Sequence, residues 1–118
     1  MSSLADVVTM FLTIQNNIKI YHWTTKTYAR HKAADELYGK LDQLFDRFIE
    51  TYIGRYEKTR LTISTLTVKQ HLDKDMLSYL EDTRKNIEAI PTSNGDLSNL
   101  KDEILSALSQ GIYLFRLV

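Results

Sequence analysis

Two histidines and three carboxylates carry most of the chemistry this chain offers. His31 and Asp35 stand one helical turn apart, so on a helix they share a face. Asp46 and Glu50 repeat that spacing farther along, and His22 precedes them all. An imidazole nitrogen beside a carboxylate oxygen is a donor pair suited to iron, zinc or manganese. Each pair alone reads as readily as a surface ion pair or a solvated acidic patch; their mutual geometry is more informative. At about 100° per residue, Asp46 lies about 60° around a helix from His31 and Glu50 about 100°, which puts all four on one broad side. The rise from His31 to Asp46 is nevertheless roughly 22 Å. One ion cannot be held by both pairs of the same helix.

A second copy of that helix, antiparallel and related by a two-fold axis, removes the conflict. The midpoint between the two pairs falls near Gly39 and Lys40. A dyad there sets each acidic pair opposite the histidine pair of the other copy, and Gly39 lets the backbones approach. His22, from the end of the neighbouring helix, then joins His31 and Asp35. The spacing predicts two equivalent sites at a dimer interface, each with two imidazoles and up to three carboxylates. Such a set fits iron or manganese better than a closed structural zinc site.

The elements that must position these residues read as helices. Leu4, Val7, Val8, Phe11, Ile14, Ile18, Tyr21 and His22 recur at three- and four-residue intervals. Ser2 or Ser3 is the expected cap, and the helix should fade between Thr24 and Thr27. A second helix, from about Ala29 to Thr59, carries a stripe from Ala34 and Leu37 to Tyr52 and Tyr56, with Glu57, Lys58 and Arg60 on its polar side. Phe45, Ile49 and Tyr52 give it more apolar width than one core needs, which again predicts a dimer. Residues 60–70 are rich in Thr, Ile and Val, but a lone strand has nothing to pair with, so an ordered crossover or short helix is expected. A third helix, about Leu72 to Ile90, turns Leu72, Met76, Leu80 and Ile87 inward and stops at Pro91. The last, about Leu97 to Phe115, starts at an Asp96 or Ser98 cap. His71 and Asp75 lack a matching acidic pair and read as a surface interaction. Four helices that cannot bury their stripes alone make one all-α domain over 1–118, a four-helix bundle with a long connection between helices two and three.

Composition narrows the function classes. The chain has 118 residues, no cysteine, and 15 basic against 15 acidic side chains. Disulfide scaffolds and thiolate metal sites are excluded. No apolar run approaches the ~20 residues that span a bilayer, and the start lacks the basic-then-apolar order of a signal peptide. A cytoplasmic protein without a membrane partner is expected. The densest basic cluster, Arg55, Lys58 and Arg60, has Glu57 inside it, so no DNA partner is expected either.

Taken together, His22-Trp23, His31-x3-Asp35-x2-Tyr38 and Asp46-x3-Glu50 resemble the ferroxidase signature of the mini-ferritins, the DNA-protecting ferritins of starved cells. In that family a His-Trp ends the first helix, a His-x3-Asp opens the second, a Tyr follows, and Asp-x3-Glu lies farther down. The resemblance is strongest over residues 4–57. It departs from the family in a shorter stretch between His22 and His31, in Thr27 where a glycine is expected, and in having no lysine-rich tail. What it implies is a ferritin-like bundle, a site shared across a two-fold axis and assembly into a dodecameric shell. It also implies oxidation of Fe(II) by hydrogen peroxide or dioxygen, with storage of ferric mineral. His22, His31, Asp35, Asp46 and Glu50 would then be both the metal ligands and the catalytic residues of a di-iron-type site, with manganese or zinc as substitutes. Glu50 would bridge the two irons, with Trp23 and Tyr38 beside them. The alternative is a non-enzymatic helical assembly protein that keeps the bundle and its dimer.

Overall fold

The computed structural model describes residues 3–56 and 61–117. It contains α1 (Leu4–Thr24), α2 (Tyr28–Arg55), α3 (Asp73–Glu88) and α4 (Gly95–Arg116), with no strand among the described residues. Ser3, one of the two expected caps, starts α1: its hydroxyl accepts from the Asp6 N–H, and the Asp6 carboxylate accepts from the Ser3 N–H. That reciprocal box satisfies two donors the helix end would otherwise strand. Thr25 turns the chain out of α1, and the Thr27 hydroxyl caps α2 by accepting from the Arg30 N–H. The expected extension of the second helix to Thr59, and the cluster of Glu57, Lys58 and Arg60, lie outside the described residues.

Cross-helix contacts fix the directions. Phe11 stacks on Phe45 with ring centroids 4.0 Å apart, and Gln15 donates to Asp42, so α1 and α2 are antiparallel. Arg47 with Glu103 and Arg55 with Asp96 align α2 against α4 in the same sense. Arg116 with Glu81 and Arg84 with Ser109 do so for α3 and α4. Tyr21 with Asp73 and Asn17 with Tyr79 close the ring between α1 and α3. The order is therefore up, down, down, up, and the chain between Arg55 and Asp73 must cross the length of the bundle. This is the ferritin-like, single-crossover arrangement. Its core runs through all four helices, with Ile18, Leu41, Met76, Leu80, Ile104 and Leu108 fully buried.

Of the two forms expected for the crossover, its described part, 61–72, takes the one without a helix, and it forms no strand. It is fastened where the Lys69 N–H donates to Asn17 Oδ1 at 2.7 Å. Buried Asn17 also donates to the Tyr79 hydroxyl, which accounts for its tolerance in the core. Other expectations need correction. Leu72 ends the crossover and is exposed rather than inward. Asn94 precedes α4 as its cap residue, so Asp96 and Ser98 lie inside the helix and neither caps it. Phe45 is buried and stacked on Phe11, so it adds little to an outer face, whereas Tyr52 is half-buried beside Tyr56. Of that trio, Phe45 and Ile49 line the groove between α1 and α2, and of these two Ile49 is the partly exposed one.

Candidate metal centre

The hairpin corner between α1 and α2 brings His22 and His31 together. Their rings stack with centroids 3.9 Å apart and 18° between planes. Each ring reaches across to the other residue's main chain: His22 Nδ1 is 2.8 Å from the His31 carbonyl oxygen, and His31 Nδ1 is 2.7 Å from the His22 carbonyl oxygen. A carbonyl oxygen only accepts, so this geometry calls for a proton on both Nδ1 atoms, and a ring in its neutral form then has its lone pair on Nε2. The His22 carbonyl is available because it belongs to the last turn of α1, where helical acceptors lack partners. Metal-binding histidines are commonly oriented in this way, donating the second ring nitrogen to a carbonyl.

Asp35 completes the corner, though not as its spacing suggested. Its Oδ1 lies 3.9 Å from His22 Nε2, so its neighbour is the histidine of the other helix. His31 is drawn back toward the His22 carbonyl instead. Outside this group Trp23 is 66% exposed, and the Lys19 ammonium sits 5.7 Å from its ring and 4.7 Å from that of Tyr38. Such cation–π contacts hold aromatic faces in place on an open surface.

Asp46 and Glu50 are exposed on the same helix, which runs unbroken from Tyr28 to Arg55. The separation of roughly 22 Å from His31 therefore stands. Asp46 borders a groove of ≈ 250 Å³ between α1 and α2, with Leu12, Gln15, Asp42 and Ile49. Among the described residues, no three His, Cys, Asp or Glu side chains of one chain converge as a metal site. The chain sets His22 beside His31 and His22 beside Asp35 without closing a three-residue ligand group, and it does not bring Asp46 or Glu50 to them.

His71 makes no ion pair with Asp75 among the described residues. It stacks on Tyr79 at 3.9 Å, and its buried Nε2 has no hydrogen-bond partner among the described residues. Burial, and then the Lys69 charge, push its pKa below the ordinary histidine value, against a smaller opposing pull from Asp75. Sequence reasoning also passed over Tyr21, Thr25, Arg30 and Asp73, which bond to one another beneath the paired histidines. A signal was present: Tyr21 directly precedes His22, and Arg30 directly precedes His31.

Fold and corner together define an all-α, single-crossover four-helix bundle with a paired-histidine corner. Residues 22–115, which include all five candidate ligands, match the "Family of unknown function (DUF5856)", and the chain belongs to that family. It is also similar to the "Uncharacterized 14.6 kDa protein in mobD-ri intergenic region" of Enterobacteria phage T4, at 52% identity over 33 residues. That stretch covers 28% of this chain and 26% of the phage protein, about a quarter of the relative's length. No solved structure matches the chain. No helix among the described residues is long and apolar enough to cross a membrane.

Proposed function

We propose that this chain is a ferroxidase of the mini-ferritin type, active as a two-fold dimer that shares two iron sites between its copies. The observation that carries the reading is the reciprocal clasp of His22 and His31. With the rings neutral it leaves two Nε2 lone pairs at a half-buried corner, with the Asp35 carboxylate 3.9 Å from His22 Nε2. Support comes from the second acidic pair on the same side of α2, at the distance an antiparallel copy requires. In the dimer, Asp46 and Glu50 of one copy face the histidine corner of the other.

Iron enters as the substrate. Imidazole nitrogens suit capture of Fe(II), and the hard carboxylate oxygens favour the Fe(III) product. Two Fe(II) ions give one electron each; hydrogen peroxide takes both with two protons and leaves as two waters, so no hydroxyl radical is released. With dioxygen as oxidant, the same two electrons and two protons give hydrogen peroxide. Storage of the ferric product, closure of dimers into a dodecameric shell and a cytoplasmic location extend the proposal.

A non-enzymatic assembly protein is the second reading. The groove beside Asp46 favours it, because Leu12 and Ile49 there offer a packing surface as well as an acidic one. Aerobic Fe(II) oxidation, followed by ferric absorbance, separates the two. The ferroxidase reading expects rapid oxidation by the wild type and a fall to the uncatalysed rate in Asp46→Ala/Glu50→Ala. Equal rates would contradict it, and a dimeric wild type without oxidation would leave the assembly reading.

A further inference from the structure

We infer that Asp73, the first residue of α3, is the positioning residue for the paired histidines and acts on them through Tyr21, Arg30 and the hairpin turn. The inference rests on the reading of that corner as a metal site only for what the histidine nitrogens are used for; the positioning itself is independent of it.

Consecutive helical residues point about 100° apart. Tyr21 and Arg30 can therefore turn toward α3 while the half-buried His22 and His31 turn toward each other from the next backbone positions. Tyr21 is 1% exposed, and its hydroxyl donates to Asp73 Oδ1 at 2.7 Å. The Thr25 hydroxyl donates to the same oxygen, and the Lys26 N–H donates to Oδ2 at 3.2 Å. Arg30 braces the other helix. Its Nη1 donates to the Tyr21 hydroxyl at 3.1 Å and to the Asp73 carbonyl at 2.7 Å, and its Nη2 donates to the Phe115 carbonyl at 3.1 Å. One carboxylate thus gathers the end of α1 and two residues of the turn onto α3. One guanidinium ties the start of α2 to α1, α3 and the end of α4.

This matters because the clasp depends on backbone spacing. Each ring must find the other residue's carbonyl, and the only covalent link between the two helix ends is the short turn of Thr25, Lys26 and Thr27. Imidazole in water prefers its proton on Nε2, so the clasp must work against that preference to keep Nε2 free. Removing Asp73 strips acceptors from Tyr21, Thr25 and the Lys26 N–H together. The turn relaxes, the Nδ1 bonds weaken, and the rings drift toward the tautomer with no Nε2 lone pair.

The test compares wild type, Asp73→Ala and Asp73→Asn as full chains, without metal, at a pH where the histidines are neutral. Long-range ¹⁵N–¹H correlation spectra report the tautomer of His22 and His31, and Co(II) absorbance reports metal affinity. Thr83→Ala, in the buried middle of α3, controls for simple loss of stability. Wild type should show Nδ1–H in both rings, and so should Thr83→Ala. Asp73→Ala should show mixed tautomers and bind Co(II) about 10- to 100-fold more weakly, as loss of an outer-sphere partner does elsewhere. Asp73→Asn, which keeps one acceptor but sets an amide donor near the turn, should fall between them. It carries the test alone if Asp73→Ala does not fold. Both rings remaining Nδ1–H in the folded Asp73 variants would overturn the inference, as would an equal tautomer shift in Thr83→Ala. Tautomers that shift while no protein binds Co(II) support the positioning role and overturn the iron-site reading.

Discussion

Asp35 is the residue at which holding an ion and holding the fold come apart. Its side chain is 56% exposed, and its one ionic neighbour among the described residues is His22 at 3.9 Å. Asp35→Asn keeps the shape and removes the charge. Stability should stay within about 0.5 kcal/mol, while the rate of Fe(II) oxidation should drop by more than about tenfold, the loss that even an outer-sphere partner typically causes. Thermal denaturation and initial rates check both halves; an unchanged rate would remove Asp35 from the site. Helical spacing put His31 and Asp35 on one face of α2, but it could not show that the ionic neighbour of Asp35 among the described residues is His22 of α1. The clasp was not legible, since it depends on the length of one turn and on two carbonyls that carry no sequence signal. Asp73 was hidden for a different reason. It lies 52 positions from Tyr21, beyond any local pattern.

At the scale of elements, helix positions followed from three- and four-residue apolar recurrence, and the errors cluster at ends and in the crossover. Asn94 stands at the cap of α4 without a side-chain capping bond, so little in the sequence separated it from Asp96 or Ser98. The crossover has no periodicity to read, because its fastening comes from Asn17 and Tyr79 on other helices. Its His71 offers a pH test. With the folded pKa lowered, the unfolded chain binds more protons, so this contribution to stability is present above about pH 6.5 and is lost as pH falls through the folded pKa. His71→Phe keeps the stack on Tyr79 and removes the titration. Between roughly pH 7.5 and 5, the window in which histidine changes charge, its melting temperature should fall less than that of the wild type. Identical slopes would contradict this. Packing between α2 and α4 offers a second test at Gly111, where an added Cβ would sit 2.9 Å from Leu37 Cδ2. Gly111→Ala should lose about 1 kcal/mol, overpacking outweighing the helix-propensity gain. Gly54→Ala, away from the proposed dyad and with nothing within 4 Å among the described residues, should gain up to about 1 kcal/mol. Denaturant titration of the two variants reads the contrast, and equal signs would refute it.

At the scale of the whole molecule, the account stands on a two-fold dimer in which neither copy owns a complete site. Light scattering should find no 13.7 kDa monomer at high protein concentration. The most direct measurement is complementation between damaged halves. Homodimers of His31→Ala/Asp35→Ala, and of Asp46→Ala/Glu50→Ala, should each oxidise Fe(II) no faster than buffer, because every site lacks one half. A refolded heterodimer of the two changes the count. One site then receives both damaged halves, while the other receives His31 and Asp35 from one chain and Asp46 and Glu50 from its partner, all intact. The account predicts that each correctly paired heterodimer recovers about half the wild-type rate, by simple counting of two independent isologous sites. Correctly paired heterodimers with no recovered oxidation would contradict it.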